Sequence, residues 1–260
     1  MYDFFEQLVK QAGKMALEGF KGEFTTEYKD DVDPVTEWDK KVEKFLIDNI
    51  KQKYPEMGIF SEEDENRDLD KKFVAFIDPI DGTVNFSHKL PFFCVSLGIY
   101  RNGVAQMGFV YIPVLDEMFS AFRGKGAKLN GKKIQVSKTD KLNRSIIATG
   151  FPYDKHKSKE NNVDNFSKMI VNVQGIRRMG CAAIDCCFVA CGRLDGFWEI
   201  KLNPWDTAAG VLIAKEGGAE VTGFNGEDWD LLSGNIVLTN GCIHNKVLKV
   251  LSGEIENEKM

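Results

Sequence analysis

The sequence predicts a mixed α+β protein whose two halves are built differently. Apolar residues at helical spacing open the chain, strand-like runs joined by Asn-Gly turns follow, and helix and strand segments alternate to the end. At 260 residues, with 43% hydrophobic and 28% charged, the chain has enough apolar material for one large core or two packed ones.

Phe4, Phe5, Leu8, Val9, Ala12, Met15, Ala16, Gly19 and Phe20 recur at the spacing of an amphipathic opening helix. Acids cluster at Asp30, Asp31 and Asp33. Thr36-x-x-Asp39 then reads as a capping box for a second helix, with Val42, Phe45, Leu46 and Ile50 on its apolar face and Pro55 beyond its end. Gly58-Ile59-Phe60 reads as a short strand ahead of a polar, acidic loop from Ser61 to Lys72. Phe73-Val74-Ala75-Phe76-Ile77 is a buried-looking strand running into Asp78. Runs at Phe92–Tyr100 and Val104–Tyr111 flank Asn102-Gly103, the chemistry of a tight hairpin, and a further strand spans Glu117–Phe122. The first half therefore reads as two helices against a largely antiparallel sheet.

In the second half a strand at Ser145–Thr149 precedes a helix at Lys159–Val171. Ala182–Ala190 is helical, Leu194–Ile200 is a strand, and Asn203-Pro204 caps and starts a helix that Gly217-Gly218 stops. Asn235–Thr239 and Ile243–Leu251 close the chain as strand and helix. No linker-like shift of composition interrupts it. A single unit is expected, with an N-terminal half of about residues 1–140 and a C-terminal half of about 141–260.

A net charge of -5 argues against nucleic acid as a partner, because a phosphate backbone needs a basic face. No run of about 18 apolar residues is present, so no membrane span is expected, and the N-terminus lacks the pattern of a signal peptide. The six cysteines lack a CxxC pair or a neighbouring His, and Cys181, Cys186, Cys187 and Cys191 read as small buried thiols on a helix. The cytosol fits this usage.

The most informative stretch is Asp78-Pro79-Ile80-Asp81-Gly82-Thr83-Val84-Asn85-Phe86. Two carboxylates end an apolar strand beside a turn that offers bare N–H groups, so a divalent cation and a phosphate have a place to share oxygens. The Ile80 carbonyl between them is a further hard donor. Glu62 is the preferred acid from the neighbouring loop, with Glu63 the fallback. Asp39 and Asp206 are ambiguous, since an acid in a helix's first turn is often only a cap, worth about 0.3–1 kcal/mol. Should these acids converge, they need cations: two like charges 4 Å apart repel by about 4 kcal/mol at an effective dielectric near 20. An all-oxygen set with few histidines favours Mg²⁺.

Asp78–Phe86, together with Pro204-Trp205-Asp206-Thr207-Ala208-Ala209-Gly210, closely resembles the two signatures of the inositol monophosphatase family. Gly175–Ala183 between them resembles its bacterial branch. The resemblance implies a layered αβαβα sandwich, a lithium-sensitive and Mg²⁺-dependent phosphatase of small phosphate monoesters, two or three Mg²⁺ ions, and a homodimer. It implies Glu62, Asp78, the Ile80 carbonyl, Asp81 and Asp206 as metal ligands. It also implies Gly82 and Thr83 as phosphate binders, and Thr83 supported by Asp39 beside a metal-activated water. Gly180, Cys181, Ala182 and Glu199 would contact the alcohol of the substrate, with Asp81 and Asp206 also at the substrate. Cys181 departs from the Thr or Ser common at its position, and Ser61 and Asp64 depart from the pattern around the paired glutamates.

Inositol 1-phosphate is the expected substrate, because an acid at position 199 accepts hydroxyl donors and repels a second phosphate. Fructose bisphosphate, histidinol phosphate and nucleotide 2′- or 3′-phosphates are the alternatives. An interaction protein that keeps the phosphatase fold is the alternative of another class.

Overall fold

The structure is a computed structural model that describes residues 1–28, 34–63 and 68–254; Asp30, Asp31, Asp33, Asp64 and Glu65 lie outside the described residues. In chain order the elements are α1 (Tyr2–Lys21), β1 (Thr26–Tyr28), β2 (Pro34–Thr36), α2 (Glu37–Lys53), β3 (Gly58–Ser61), β4 (Phe73–Asp81) and α3 (Thr83–Ser87). Next come β5 (Cys94–Arg101), β6 (Val104–Ile112), β7 (Glu117–Phe122), β8 (Ala127–Leu129), β9 (Lys132–Lys133) and β10 (Ile146–Thr149). The rest are α4 (Val163–Ile170), β11 (Gly175–Arg177), α5 (Ala182–Ala190), β12 (Gly196–Glu199), α6 (Pro204–Glu216), β13 (Glu220–Thr222), β14 (Ile236–Thr239) and α7 (His244–Ser252).

Two large sheets carry the fold. The first has seven strands in the order β3-β4-β5-β6-β7-β8-β9, antiparallel except for the parallel β3–β4 pair. The second has five in the order β11-β10-β12-β14-β13, parallel among β11, β10 and β12 and antiparallel beyond. Phe5, Val9, Val42 and Leu46 pack α1 and α2 on one face of the first sheet, against Ile77, Leu97 and Phe109. On its other face α5 and α6 are sandwiched between the sheets: Val110 and Phe119 meet Ala183, Cys187 and Ile213, which also meet Phe197 and Leu238. Met169, Val247 and Leu251 of α4 and α7 cover the far face of the second sheet at Ile147, Trp198 and Val237. The layers are thus αβαβα. Their middle layer explains why α5 and α6 are apolar nearly all round, as a helix buried on both sides must be.

Local chemistry sets the joints. Asn102 and Gly103 take φ of 49° and 75°, the two left-handed residues that a tight hairpin between β5 and β6 requires. The helix expected over Lys159–Val171 begins only at Val163. The reason is Asn162, whose side chain turns inward to donate to Thr149 Oγ1 (2.9 Å) and the Gly150 carbonyl (2.7 Å) and to accept from Trp198 Nε1 (2.9 Å). That network holds the preceding residues in turns. Among the described residues, no helix is long and apolar enough to cross a membrane.

Where α6 crosses the first sheet, two strand glycines let it approach closely. A Cβ on Gly98 would lie 2.9 Å from Ala208 Cβ, and one on Gly108 would lie 2.6 Å from the Ala209 carbonyl oxygen. Any side chain there would push the helix off the sheet. The close seating brings the N-terminus of α6, with Asp206, over the end of β4.

Candidate active site

Strict alternation along β4 would send Asp78 and Asp81 to opposite faces of the sheet. A bulge prevents this. Asp78 pairs with Ser96 and Asp81 with Cys94, so three steps along β4 oppose two along β5. Pro79, lacking an N–H, sits in the irregular segment where no ladder bond is needed. Both carboxylates consequently face one cavity of about 360 Å³.

That cavity gathers acids from four elements. Glu62 follows β3, Asp78 and Asp81 end β4, Glu199 ends β12, and Asp206 lies in the first turn of α6. Gly82, Thr83, Gly180, Cys181, Ala182 and Ile80 complete its wall on the same side. Glu63 points elsewhere, into a surface groove with Lys40, Glu43 and Lys44, and its N–H donates to Glu43 Oε1 at 3.0 Å. Gly82 turns the chain at φ 92°, and a Cβ there would lie 2.8 Å from the Phe92 carbonyl oxygen, so only glycine fits beside Asp81.

The ambiguity between cap and site residue resolves into both roles for Asp39. Its Oδ2 accepts from Thr36 N (2.8 Å) and Thr36 Oγ1 (2.6 Å), which caps α2, while Oδ1 accepts from Thr83 Oγ1 at 3.1 Å. Thr83 Oγ1 also stands 2.9 Å from the Ile80 carbonyl oxygen. Asp206 caps α6 through Oδ2, which accepts from Asn203 N at 2.7 Å, and it lines the cavity as well. Asp81 Oδ2 accepts from Ala183 N at 2.7 Å, so this carboxylate holds the start of α5 against the end of β4.

The electrostatics of the cavity are severe. Burial first, then the charges of Glu62, Asp81 and Asp206, hold the Asp78 carboxyl well above the ordinary range. Burial pushes Asp81 up to about 6 against the opposing pull of the Ala183 N–H. Asp206 is likewise held well above its usual value by burial and by Asp81 and Glu62. Glu199 rises to about 8 through burial and Asp81, with Arg178 pulling the other way. Asp39 rises to about 6, mainly through burial. Asp78 Oδ1 is buried without a hydrogen-bond partner. Buried carboxylates that raise one another in this way fit a set of hard cations, and the orphaned oxygen is a donor waiting for one.

Tyr153, Arg178 and Lys201 are among the lining residues to which the sequence assigned no site role. Lys201 Nζ bonds Asp154 Oδ2 (2.7 Å) and Ser158 Oγ (2.9 Å), tying the loop after β10 to the rim. The available signal was the run Thr149-Gly150-Phe151-Pro152-Tyr153, a strand end followed by glycine as at Asp81-Gly82.

Comparison with known proteins follows the same lines. An inositol-1-monophosphatase of Synechocystis sp. is 43% identical over 221 residues, covering 85% of this chain and 77% of that protein. The Nus factor SuhB of Escherichia coli (strain K12) is 40% identical over 228 residues, covering 86% and 85%. The solved inositol monophosphatase of Anabaena (Nostoc) sp. superposes with a TM-score of 0.88 at 36% identity and covers 96% of both chains. The model of the inositol monophosphatase family matches residues 1–256; with the layered fold and the acid-lined cavity between its sheets, this places the chain in that family.

Proposed function

We propose that this phosphatase hydrolyses inositol 1-phosphate to inositol and phosphate in a Mg²⁺-dependent reaction. The observation that carries the reading is the convergence of Glu62, Asp78, Asp81 and Asp206 on one cavity beside Gly82 and Thr83. Glu62, Asp78, the Ile80 carbonyl and Asp81 would hold one metal region, and Asp206 would join Asp78 and Asp81 at another. Two or three Mg²⁺ ions there supply neutralisation of the phosphoryl oxygens and a lowered pKa for the attacking water.

The chain's own groups do the positioning. The N–H groups of Gly82 and Thr83 bind the phosphate. With its proton directed to Asp39 Oδ1, Thr83 Oγ1 would keep lone pairs for a proton of an attacking water. Asp39 titrates near 6 and so is ionised to receive that hydrogen bond at neutral pH. On the alcohol side, Glu199 takes a substrate hydroxyl, with Gly180, Cys181 and Ala182 forming the wall. With cations bound, which would lower the raised pKa of Glu199, a second phosphate in that position would face the carboxylates of Glu199 and Asp81, which disfavours bisphosphates and nucleotide phosphates.

Phosphate release from a panel of esters, with and without Mg²⁺, tests the reading. Inositol 1-phosphate should be turned over fastest and chelation should abolish the rate. A faster rate on fructose bisphosphate, histidinol phosphate or a nucleotide 2′- or 3′-phosphate would move the assignment to that ester. Inhibition by lithium, a homodimeric state and a cytosolic location belong to the same proposal. The likeness to SuhB supports one second reading, a docking role for the same fold, which pull-down with a variant lacking Asp81 would separate from catalysis.

A further inference from the structure

Among the described residues, the three metal-donor side chains whose donor atoms lie within 4.8 Å of one another are one acid of the cavity, Asp81, and two thiols, Cys94 and Cys181. The trio comes from three elements. Asp81 ends β4, Cys94 begins β5 directly opposite it in register, and Cys181 caps α5.

The geometry is that of a soft-metal site. Cys94 Sγ and Cys181 Sγ are 3.5 Å apart. Two thiolates at about 2.3 Å from one tetrahedral zinc ion stand ~3.8 Å from each other. The sulfur pair therefore needs to open by only about 0.3 Å to accept such an ion, and the Asp81 oxygen to close from within 4.8 Å. Asp81 is braced for the role, since Oδ2 already accepts the Ala183 N–H at 2.7 Å, the outer contact that orients a ligating carboxylate. Cys94 is wholly buried, whereas Cys181 is 2% exposed and, with Asp81, lines the cavity, so an ion would reach the trio from the cavity. All four of Cys94, Cys181, Cys186 and Cys187 belong to the apolar layer between the sheets, but among the described residues Cys186 and Cys187 are not grouped with Asp81 as donors within 4.8 Å of one another.

We infer that Asp81, Cys94 and Cys181 form a binding site for a thiophilic divalent cation of the zinc and cadmium class. On binding, both thiols release their protons to solvent and two sulfur–metal bonds and one oxygen–metal bond form, with no change of oxidation state. Mg²⁺ does not compete for the sulfurs, because it is a hard ion. Occupation draws Asp81 out of the oxygen-donor set, so a thiophilic ion inhibits hydrolysis. That consequence rests on the phosphatase reading above; the binding itself does not.

The test is titration of the reduced, chelator-treated full chain with Co²⁺, a coloured probe for zinc sites. One equivalent should bring a thiolate-to-cobalt charge-transfer band and the strong visible bands of tetrahedral cobalt, and Zn²⁺ should bleach both. Cys94→Ser and Cys181→Ser should each abolish the charge-transfer band, while Cys186→Ser keeps it; circular dichroism establishes that each variant is folded. Absence of the band in the wild-type protein, or its survival in both Cys94→Ser and Cys181→Ser, overturns the site. A second arm measures Zn²⁺ inhibition of Mg²⁺-dependent hydrolysis. Cys94→Ser should keep the hydrolysis and lose at least about tenfold in sensitivity to Zn²⁺. If wild-type protein hydrolyses nothing, the phosphatase reading fails and the cobalt spectrum still decides the site.

Discussion

Thr83 Oγ1 stands 3.1 Å from Asp39 Oδ1, a contact that joins the turn after β4 to the first turn of α2 across 44 positions of chain. The other Asp39 oxygen caps α2, so one buried carboxylate couples a helix start to the hydroxyl beside the cavity. Asp39→Asn retains an oxygen for the Thr36 cap and offers Thr83 an amide in place of an anion. We predict a fall in kcat of about 10²-fold or more with KM little changed, as for loss of a group acting in general base catalysis. Steady-state kinetics beside a thermal melt check this. A fall in stability without a fall in kcat would mean that Asp39 is only a cap.

Asp81→Asn should lower activity by at least about 10²-fold, since it removes the acid that both proposed metal regions share. The rate with saturating Mg²⁺ measures it. A variant with full activity would remove Asp81 from the metal set.

The metal-free cavity should also have a pH signature. Asp39 and Asp81 titrate at about 6 and Glu199 at about 8, all above the ordinary carboxylate range. The folded state therefore holds these protons more tightly than the unfolded state. The stability they lend is fully present below about pH 4 and is lost as pH rises through about 6, then about 8. In metal-free protein, Asp81→Asn should melt increasingly above wild type across that window. Mg²⁺ should raise the wild-type midpoint and close the gap. A constant difference at every pH would contradict the assignment.

Gly108→Ala places a Cβ against the Ala209 carbonyl oxygen, where α6 has no room to yield without leaving the sheet. The expected cost is about 1–3 kcal/mol in denaturant unfolding. Because the same seating carries Asp206, the Mg²⁺ concentration for half-maximal rate should rise as well. Unchanged metal dependence in a destabilised variant would show that Asp206 is placed by something else.

In the Mg²⁺-loaded protein, whose cations would lower the raised pKa of Glu199, Glu199→Gln exchanges an acceptor carboxylate for an amide on the alcohol side. kcat/KM for inositol 1-phosphate should fall by about 10- to 100-fold, the loss of a hydrogen bond to a charged group, while esters bearing a second anion should lose less. The ratio across a substrate panel is the measurement. Equal losses for all esters would place Glu199 outside substrate recognition.

Much of this was legible in the residues because local chemistry decides it. The Thr36/Asp39 capping box, the Asn102-Gly103 hairpin and the Asn203 cap of α6 depend on neighbours within four positions, and each stands where its motif implied. Short strands such as β11 and β13 were not read, since three residues carry no usable period and exist only by pairing with β10 and β14. The helix α4 starts late because Asn162 is drawn inward by Trp198, a partner 36 positions away.

The sequence by itself determined the α+β class, the helix caps, the hairpin and the family signatures, all of which are written in short stretches of chain. Only the tertiary structure decided that Glu62 rather than Glu63 lines the cavity, that a bulge turns Asp78 and Asp81 to one side, and that Cys94 meets Cys181 across 87 positions. The physical reason is range. Caps and turns are hydrogen bonds between near neighbours, whereas the side a carboxylate faces depends on strand register, and the company a thiol keeps depends on how closely α5 and α6 settle on the sheet.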